Sequence, residues 1–429
     1  MSSFLLKNIQ INDLNSSLHG QLGDLGVQDG VIKAFGIDVN EAEYQHIIEF
    51  SGCYLSPAFV DLRCNSSDPG YEYRETNQTL ASSAFAGGYS QVAVLPNSLP
   101  CRQSKGDIEN LKHQSQHLPV QLLPIGAICS ELKSDDLTEM YDMKQHGAVA
   151  FSNANYAIAN IGTMSRALQY SKTFDGLLYS FCQETDLTQG AYVAEGPIAV
   201  SLGLKGMPQM SEYLMVQRDI ELADYHQCKV HFSKISTEKS VELIRQAKAQ
   251  GIAVTCDVAV MNLALTDETI MDFDSHLKLN PPLRQANDVK ALWEGLRDGT
   301  IDAICSDHHP QDIERKQLEF EYAAFGAISI QIAYSIAVEG RNRFCPQLSD
   351  DVLLSKFNQG PRAVLGLSPC TIAEGQKAEF TIINPQHQTI LTRRNNRSKS
   401  ENTYYMDKPL PNFIEATFNG LHHVFNKNN

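Results

Sequence analysis

The sequence predicts an α/β protein that consists of a (β/α)8 barrel and a small β domain. Between residues 56 and 369, short apolar segments alternate with helical segments, and eight of the apolar segments have the length of barrel strands. Both chain ends instead show short apolar runs between glycine and aspartate turns, which is typical of strands joined by turns. We therefore expect a barrel domain at residues 56–369 and a β domain formed by residues 1–55 together with 370–429.

The eight predicted barrel strands are short and apolar. They are Phe59–Asp61, Tyr89–Val94, Leu122–Ile128, Ala148–Phe151, Leu177–Phe181, Lys229–Phe232, Ala253–Asp257 and Ile301–Cys305. An open doubly wound sheet is the alternative architecture. The barrel is favoured because no glycine-rich phosphate-binding sequence follows the first strand.

Two of the helices between these strands have clear ends. Ser236 or Thr237 can cap a helix with an apolar face at helical spacing, and Gly251 ends it. Asp288 can start a second helix, which stops at Gly299. Both helices lie between predicted strands, as an alternating barrel requires.

The composition is that of an ordinary globular protein. The chain has 429 residues, 42% hydrophobic and 20% charged, so a large core can form without disulfides or a structural metal. The net charge of −15 argues against nucleic acids and anionic membranes as partners, because both select basic surfaces. No apolar run approaches the roughly 18–20 residues that a membrane helix needs. The cysteines are scattered singly and the first residues are too polar for an export signal, so we expect reduced thiols and a cytoplasmic location.

The chemistry of a (β/α)8 barrel lies where its strands end at the C-terminal face. The first strand runs into Val60–Gly70, which reads VDLRCNSSDPG, and the last runs through Ile304–Pro310, which reads ICSDHHP. The first of these segments has the frame of a metal-binding strand end, but it contains no histidine. This raises the question of whether the barrel holds a hydrolytic metal site or what remains of one.

A longer segment around the first strand, LSPAFVDLRCNSSDPGYEYRET, resembles the opening of the dihydroorotases, whose pattern is roughly P-G-F-x-D-x-H-x-H-x-R-x-P-G. Further segments have counterparts in the same order over nearly the whole chain, namely AVLPNS, GAVAFSN, HFSKISTEKSVELIRQAKAQGIAVT, LKLNPPLR, ICSDHHP, AAFG and SKSENTYY. The resemblance implies a TIM barrel of the amidohydrolase type with a flanking β-sandwich.

The resemblance also implies a chemistry. The family hydrolyses a cyclic amide reversibly in pyrimidine biosynthesis, and two zinc ions lower the pKa of a bridging water and polarise the carbonyl. The family's ligands are two histidines at the first strand, a carboxylate or modified lysine at the fourth, and one histidine at each of the fifth and sixth. An aspartate at the eighth strand is both ligand and general base.

The positions that correspond to this ligand set differ here almost throughout. They hold Arg63, Asn65, Asn153, Phe181 and Lys234. Asp307 is the surviving acid/base position of the family. Arginine offers no lone pair, phenylalanine has no donor atom, and lysine must be neutral to bind a metal. We therefore expect no metal cofactor, and we expect that Asp307 does not act in catalysis.

Some of the residues with which the family binds its substrate are retained. The matching residues are Asn97, Asn280, Phe325 and Gly326. Ser67 replaces the arginine that binds the substrate carboxylate in the family, and Gln311 replaces a histidine of the substrate loop.

The substitutions also suggest that side-chain charge replaces metal charge. Without zinc, Asp307 is a carboxylate in a partly dry barrel mouth, which is costly if unpaired. Arg63 and Lys234 bring cations to the same place, so we expect one or both to pair with Asp307. The alternative is a rebuilt single-metal site with ligands from among Asp307, His231, His308, His309 and Cys182.

The resemblance finally implies a role. Some bacteria carry an inactive dihydroorotase-like chain that serves as a structural partner of aspartate transcarbamoylase, the preceding enzyme of the pathway. We therefore expect a catalytically inactive homologue, a pseudoenzyme with a structural or regulatory role, in a homo-oligomer or larger assembly. One alternative is an active dihydroorotase or related cyclic amidohydrolase with an unconventional metal site. Another is a non-catalytic protein that binds dihydroorotate or a cyclic ureide.

Overall fold

The computed structural model describes residues 3–65 and 67–426. Its strands are β1 Ser3–Ile11, β2 Leu22–Gln28, β3 Val31–Gly36, β4 His46–Glu49, β5 Tyr54–Pro57, β6 Phe59–Cys64, β7 Tyr89–Val94, β8 Gln121–Gly126, β9 Ala150–Ser152, β10 Leu178–Ser180, β11 Val193–Ala194, β12 Gly206–Met207, β13 Val230–Phe232, β14 Val254–Ala259, β15 Ala303–Cys305, β16 Glu379–Ile390, β17 Pro409–Asn419 and β18 His422–Phe425.

The α-helices are α1 Asn77–Ala86, α2 Lys105–Ser115, α3 Met140–Gln145, α4 Ile161–Lys172, α5 Thr185–Thr188, α6 Pro197–Leu202, α7 Met210–His226, α8 Glu238–Ala249, α9 Val260–Ala264, α10 Ala286–Asp298, α11 Ile313–Lys316, α12 Ala333–Phe344, α13 Asp350–Ser355 and α14 Gln359–Leu365. Short 3₁₀-helices cover Glu41–Glu43, Ser130–Leu132, Asp267–Asp272, Ser275–Leu277 and Ile330–Ile332.

The central sheet is a barrel of eight parallel strands. Their spatial order follows the chain, from β6 through β7, β8, β9, β10, β13 and β14 to β15. The barrel closes just beyond β15, where the amide of Asn65 donates to the carbonyl of His308 over 2.9 Å. Cys64 and His308 form a parallel bridge at the same place. The (β/α)8 architecture predicted from the sequence is thus confirmed.

A second sheet is built from both chain ends. Its strands run in the order β18, β17, β16, β5, β1, β2 and β3, and β4 also pairs with β1. Apolar side chains from both chain ends share one core, in which Phe4 and Leu25 meet Phe380 and Phe418. β5 ends at Pro57 and β6 begins at Phe59, so this sheet leads directly into the barrel strand that carries Arg63.

The predicted helices are found, with one difference in where a helix begins. Thr237 caps α8, since its side chain accepts a hydrogen bond from the amide of Ser240. Helix α10 starts at Ala286, ahead of the predicted Asp288. The carboxylate of Asp288 does not cap its own helix, because it accepts from the amide of Glu238 over 2.9 Å. Within the described residues, the structure has no helix both long and apolar enough to cross a membrane.

Candidate functional site

Side chains from five strand ends meet at the C-terminal mouth of the barrel. They belong to Arg63, Asn65, Asn155, Phe181, Lys234 and Asp307. The backbone φ angles of Ala154, Lys234 and Asp307 are +57°, +56° and +50°. Left-handed backbone is uncommon for residues other than glycine, and it clusters at functional sites. Three strand ends that face one opening therefore turn sharply, and two of them carry charged side chains.

Asp307 lies between two cations. Its Oδ2 is 3.1 Å from Nζ of Lys234, and its Oδ1 is 3.4 Å from Nε of Arg63. The side chains of Lys234 and Arg63 are 1% and 0% exposed, and that of Asp307 is 15% exposed. The pairing predicted from the sequence is confirmed for both cations. Because one carboxylate faces two cations, the cluster carries a net positive charge at neutral pH.

The ammonium group of Lys234 makes two further hydrogen bonds. It donates to the backbone carbonyl of Asn280 over 2.5 Å and to Oδ1 of Asn155 over 3.2 Å. The ring of Phe181 lies on another side, with its centroid 5.1 Å from Nζ. The pKa of Lys234 is lowered to about 8, because burial and then the nearby Arg63 disfavour the charged form and Asp307 offsets them only in part.

Asn155 connects the two cations. Its Oδ1 also accepts from Nη2 of Arg63 over 2.8 Å, so this oxygen receives hydrogen bonds from both cations. Its Nδ2 donates to Oδ1 of Asn65 over 2.8 Å. The second arm of the Arg63 guanidinium, Nη1, donates to Oγ of Ser233 over 2.5 Å. Asn155 therefore holds a polarised carboxamide at the centre of the cluster.

Asn153 points away from this cluster. Its Oδ1 accepts from the backbone amides of Ile128 and Cys129, over 3.2 Å and 3.0 Å. Asn153 therefore anchors the loop after β8. Within the segment Asn153–Asn155, the third residue is the one that reaches the charged cluster.

The mouth histidines considered from the sequence have other partners. His231 is fully buried, with Nε2 3.0 Å from Oδ2 of Asp257 and Nδ1 2.8 Å from Oγ1 of Thr255. Burial alone raises the pKa of Asp257, but the hydrogen bond and charge of His231, the charge of Arg63 and the backbone hydrogen bond from Lys234 together bring that pKa below its usual value. His231 therefore serves as a buried partner of Asp257.

His308 and His309 follow Asp307 but face different surroundings. His308 Nδ1 accepts from the amide of Ser329, and its Nε2 lies 3.4 Å from Oε2 of the buried Glu75. His309 faces the mouth, and its Nε2 accepts from Nε2 of Gln311 over 3.1 Å. Burial, together with the surrounding cations, lowers the pKa of His309 well below its usual range, so this imidazole is neutral.

An open pocket of about 570 Å³ lies above the charged cluster. It brings together Asn65, Ser67, Asn97, Asn280, Asp307, His309, Phe325 and Gly326. The side chain of Asn280 exchanges two hydrogen bonds with the amide of Gln183, over 3.2 Å and 3.1 Å. The four positions of the expected substrate side therefore share one cavity with Asp307. A cavity of this size accommodates a small organic molecule.

Comparison with known proteins places the chain in a family. The family model for dihydro-orotase-like proteins matches residues 52–240. A protein named dihydroorotase from Caldicellulosiruptor saccharolyticus is 34% identical over 426 residues, covering 97% of each chain. Another of that name, from Pelotomaculum thermopropionicum, is 38% identical over 397 residues, covering 92% of each. The chain belongs to the dihydroorotase family. Among solved structures, the L-hydantoinase (dihydropyrimidinase) of Arthrobacter aurescens matches with a TM-score of 0.86 at 22% identity, covering 100% of this chain and 97% of its own, which shows a shared fold.

The donor atoms of this dihydroorotase homologue do not fit a zinc pair at the mouth. The guanidinium of Arg63 and the ring of Phe181 offer no lone pair, and Lys234 donates to three oxygens. Within residues 3–65 and 67–426, no group of three or more His, Cys, Asp or Glu side chains is arranged to hold a metal ion. Of the histidines in the alternative single-metal site, His231 contacts Asp257 and His308 contacts Glu75.

Three residues of the dihydroorotase homologue's site were not singled out from the sequence. Ser233 accepts from Arg63, Gln183 pairs with Asn280, and Asn155 joins the cations. Ser233 precedes Lys234 and Asn155 follows Asn153 by two positions, so a search of strand-end neighbours would have found both. No sequence signal marks Gln183, because its partner is almost a hundred positions away.

Proposed function

We propose that this dihydroorotase homologue is a catalytically inactive protein of pyrimidine biosynthesis that works without zinc. The cluster of Arg63, Lys234 and Asp307 carries this proposal. It supplies two side-chain cations where the resemblance assigns two metal ions. Both oxygens of Asp307 face these cations, so its carboxylate is held by charge and poorly placed to take a proton from a molecule in the pocket. The relatives named dihydroorotase support the pathway.

Metal content and turnover, measured on one sample, test this proposal. The full chain is purified without chelators, its metals are quantified by mass spectrometry, and dihydroorotate hydrolysis is assayed. We expect no stoichiometric metal and no turnover, whereas an active dihydroorotase treated in parallel shows both. Tightly bound zinc together with turnover would overturn the proposal. It would favour an active cyclic amidohydrolase with an unconventional metal site.

We further propose a structural or regulatory role as a partner of aspartate transcarbamoylase. The family resemblance and the intact barrel support it, because a fold that is kept without its metal chemistry still offers a specific surface. The test is co-purification of the two proteins, followed by transcarbamoylase assays with and without this chain. Association, with lower or altered activity once this chain is removed, is expected. No association and unchanged activity would contradict this role.

The mouth pocket favours a second candidate, a non-catalytic binder of dihydroorotate or a cyclic ureide. Calorimetry with dihydroorotate tests it, with Phe325→Ala as the variant that alters the pocket lining. Tyr322→Ala is the matched control, since Tyr322 is 75% exposed and lies in the same loop but outside the pocket lining. Binding heat that is lost in Phe325→Ala and kept in Tyr322→Ala would support this candidate. No heat with the wild-type chain would exclude it.

A further inference from the structure

Lys234, Asn155 and Asp307 place an amine, a carboxamide and a carboxylate in mutual reach. The amine nitrogen of Lys234 lies 3.2 Å from Oδ1 of Asn155 and 3.1 Å from Oδ2 of Asp307. The backbone carbonyl of Asn280 holds the same nitrogen at 2.5 Å. The groups come from three different strand ends of a closed barrel, so their relative positions are set by the fold. Well-oriented groups in such contact react as if at very high concentration.

We propose that Lys234 and Asn155 form an intramolecular isopeptide bond. The lone pair of the Lys234 nitrogen attacks Cγ of Asn155, a C–N bond forms, and the bond from Cγ to Nδ2 breaks. The Lys234 ammonium gives up two protons, one before the attack and one after it, and Asp307 passes both to the departing nitrogen. The products are an amide between the two side chains and one ammonium ion, so the neutral mass of the chain falls by one ammonia and the step needs neither oxidant nor cofactor.

The surrounding residues supply what this reaction needs. Oδ1 of Asn155 gains negative charge during the attack, and Nη2 of Arg63 already donates to that oxygen over 2.8 Å. Donors aimed at developing negative charge are a major source of rate enhancement. The ring of Phe181 covers another side of the amine, with its centroid 5.1 Å away, and keeps water from that side. A carboxylate in contact with the nucleophile serves as the proton carrier.

Charge favours the crosslinked product. In the structure as described, two buried cations share one carboxylate, and an incompletely paired buried charge is costly. Conversion of the Lys234 ammonium into a neutral amide removes one positive charge from the mouth. That charge departs as the released ammonium ion. Arg63 and Asp307 then remain as a balanced pair. Asn155 is half-buried and lines the open pocket, so the ammonium ion has a path out.

The bond would join the strand ends of β9 and β13 across the mouth. It is independent of whether the chain binds dihydroorotate or a protein partner. A protein that lacks zinc and turnover but keeps its full sequence mass would overturn the crosslink and leave the proposed function intact. A crosslinked protein that turns over dihydroorotate would support the crosslink and overturn the proposed function.

Mass spectrometry of the denatured full chain tests the bond. We expect most wild-type molecules to be one ammonia lighter than the mass given by the sequence. Protease digestion should release a branched peptide that contains both Asn155 and Lys234. Lys234→Arg keeps the positive charge, and Asn155→Ala removes the carboxamide; both variants should show their full mass and no branched peptide. Asp307→Asn should lower the crosslinked fraction at least tenfold.

Two results would overturn the bond. One is a wild-type chain of full mass after prolonged incubation of the folded protein at mildly alkaline pH. The other is an ammonia loss found on an unbranched peptide, since a cyclic imide at an asparagine loses the same molecule. Both results come from the wild-type chain, so the test holds even if a variant fails to fold.

Discussion

The ammonium of Lys234 lies 3.1 Å from Oδ2 of Asp307, and Arg63 approaches the other oxygen of the same carboxylate at 3.4 Å. Both cations are buried, and they come from the strand ends to which the family resemblance assigns zinc-binding histidines. The mouth of this barrel is therefore organised by ion pairs between its own strands.

Asp307→Asn should destabilise the protein strongly. It removes the carboxylate that pairs with both buried cations, and breaking a buried pair typically costs about 3–5 kcal/mol of the free energy of unfolding. Urea denaturation of the two proteins measures the loss. Asp175→Asn is the control, because Asp175 is 76% exposed and pairs with Lys229 at the surface. The control should cost about 1 kcal/mol or less. Similar small losses in both variants would contradict the structural importance of the cluster.

His231→Leu should also destabilise the fold. It leaves the fully buried Asp257 carboxylate without the imidazole that pairs with it, so we expect a loss of about 3–5 kcal/mol. His276→Leu is the control, since the pair of His276 with Asp274 is about one third exposed. Thermal and urea unfolding measure both. An unchanged stability in His231→Leu would show that His231 is not a structural partner.

The same pair predicts how stability depends on acid. The pKa of Asp257 is lower in the folded state than in the unfolded chain. Its contribution to stability is therefore present above the unfolded pKa of about 3.9 and is lost as the pH falls through the folded value. Denaturation curves at decreasing pH should show a smaller acid-dependent loss in His231→Leu than in the wild-type chain.

Lys316 gives a pH dependence of the same direction in a higher pH range. Burial lowers its pKa to about 7, while its ammonium donates to the carbonyls of Ala324 and Gly326. Between this pH and the unfolded value of about 10.4 the unfolded chain binds more protons, so this group makes stability rise with pH in that window. From pH 7 to pH 9 the rise should be about 2 kcal/mol by linkage. Lys316→Met should remove it, and an equal rise in the variant would contradict the assignment.

Gly326→Ala should distort the mouth. The backbone φ of Gly326 is +118°, and an added Cβ would lie 2.6 Å from Cγ of His309. Gly366→Ala is the matched control, because its φ is +65° and an added Cβ would meet open space. We expect Gly326→Ala to cost about 1–3 kcal/mol more than the control, as overpacking does. Equal losses would mean that backbone strain alone explains both.

The sequence alone was sufficient to predict the barrel and the charged cluster. Eight apolar segments between capped helices specify a parallel barrel, because each strand must bury its side chains and each helix covers the strands with one apolar face. Arg63, Lys234 and Asp307 were placed together because the family resemblance assigns their positions to one metal site at the C-terminal ends of the barrel strands. Their pairing followed from charge, since a buried carboxylate needs a cation.

Only the tertiary structure decided which neighbours those side chains meet. Asn155, rather than Asn153, reaches the cluster, because the left-handed backbone of Ala154 between them changes the direction of the chain. His231 pairs with Asp257 on the next strand of the barrel. Which side chains come into contact depends on strand register and on backbone angles at strand ends. Packing across the whole barrel sets both, so local sequence patterns do not reveal these contacts.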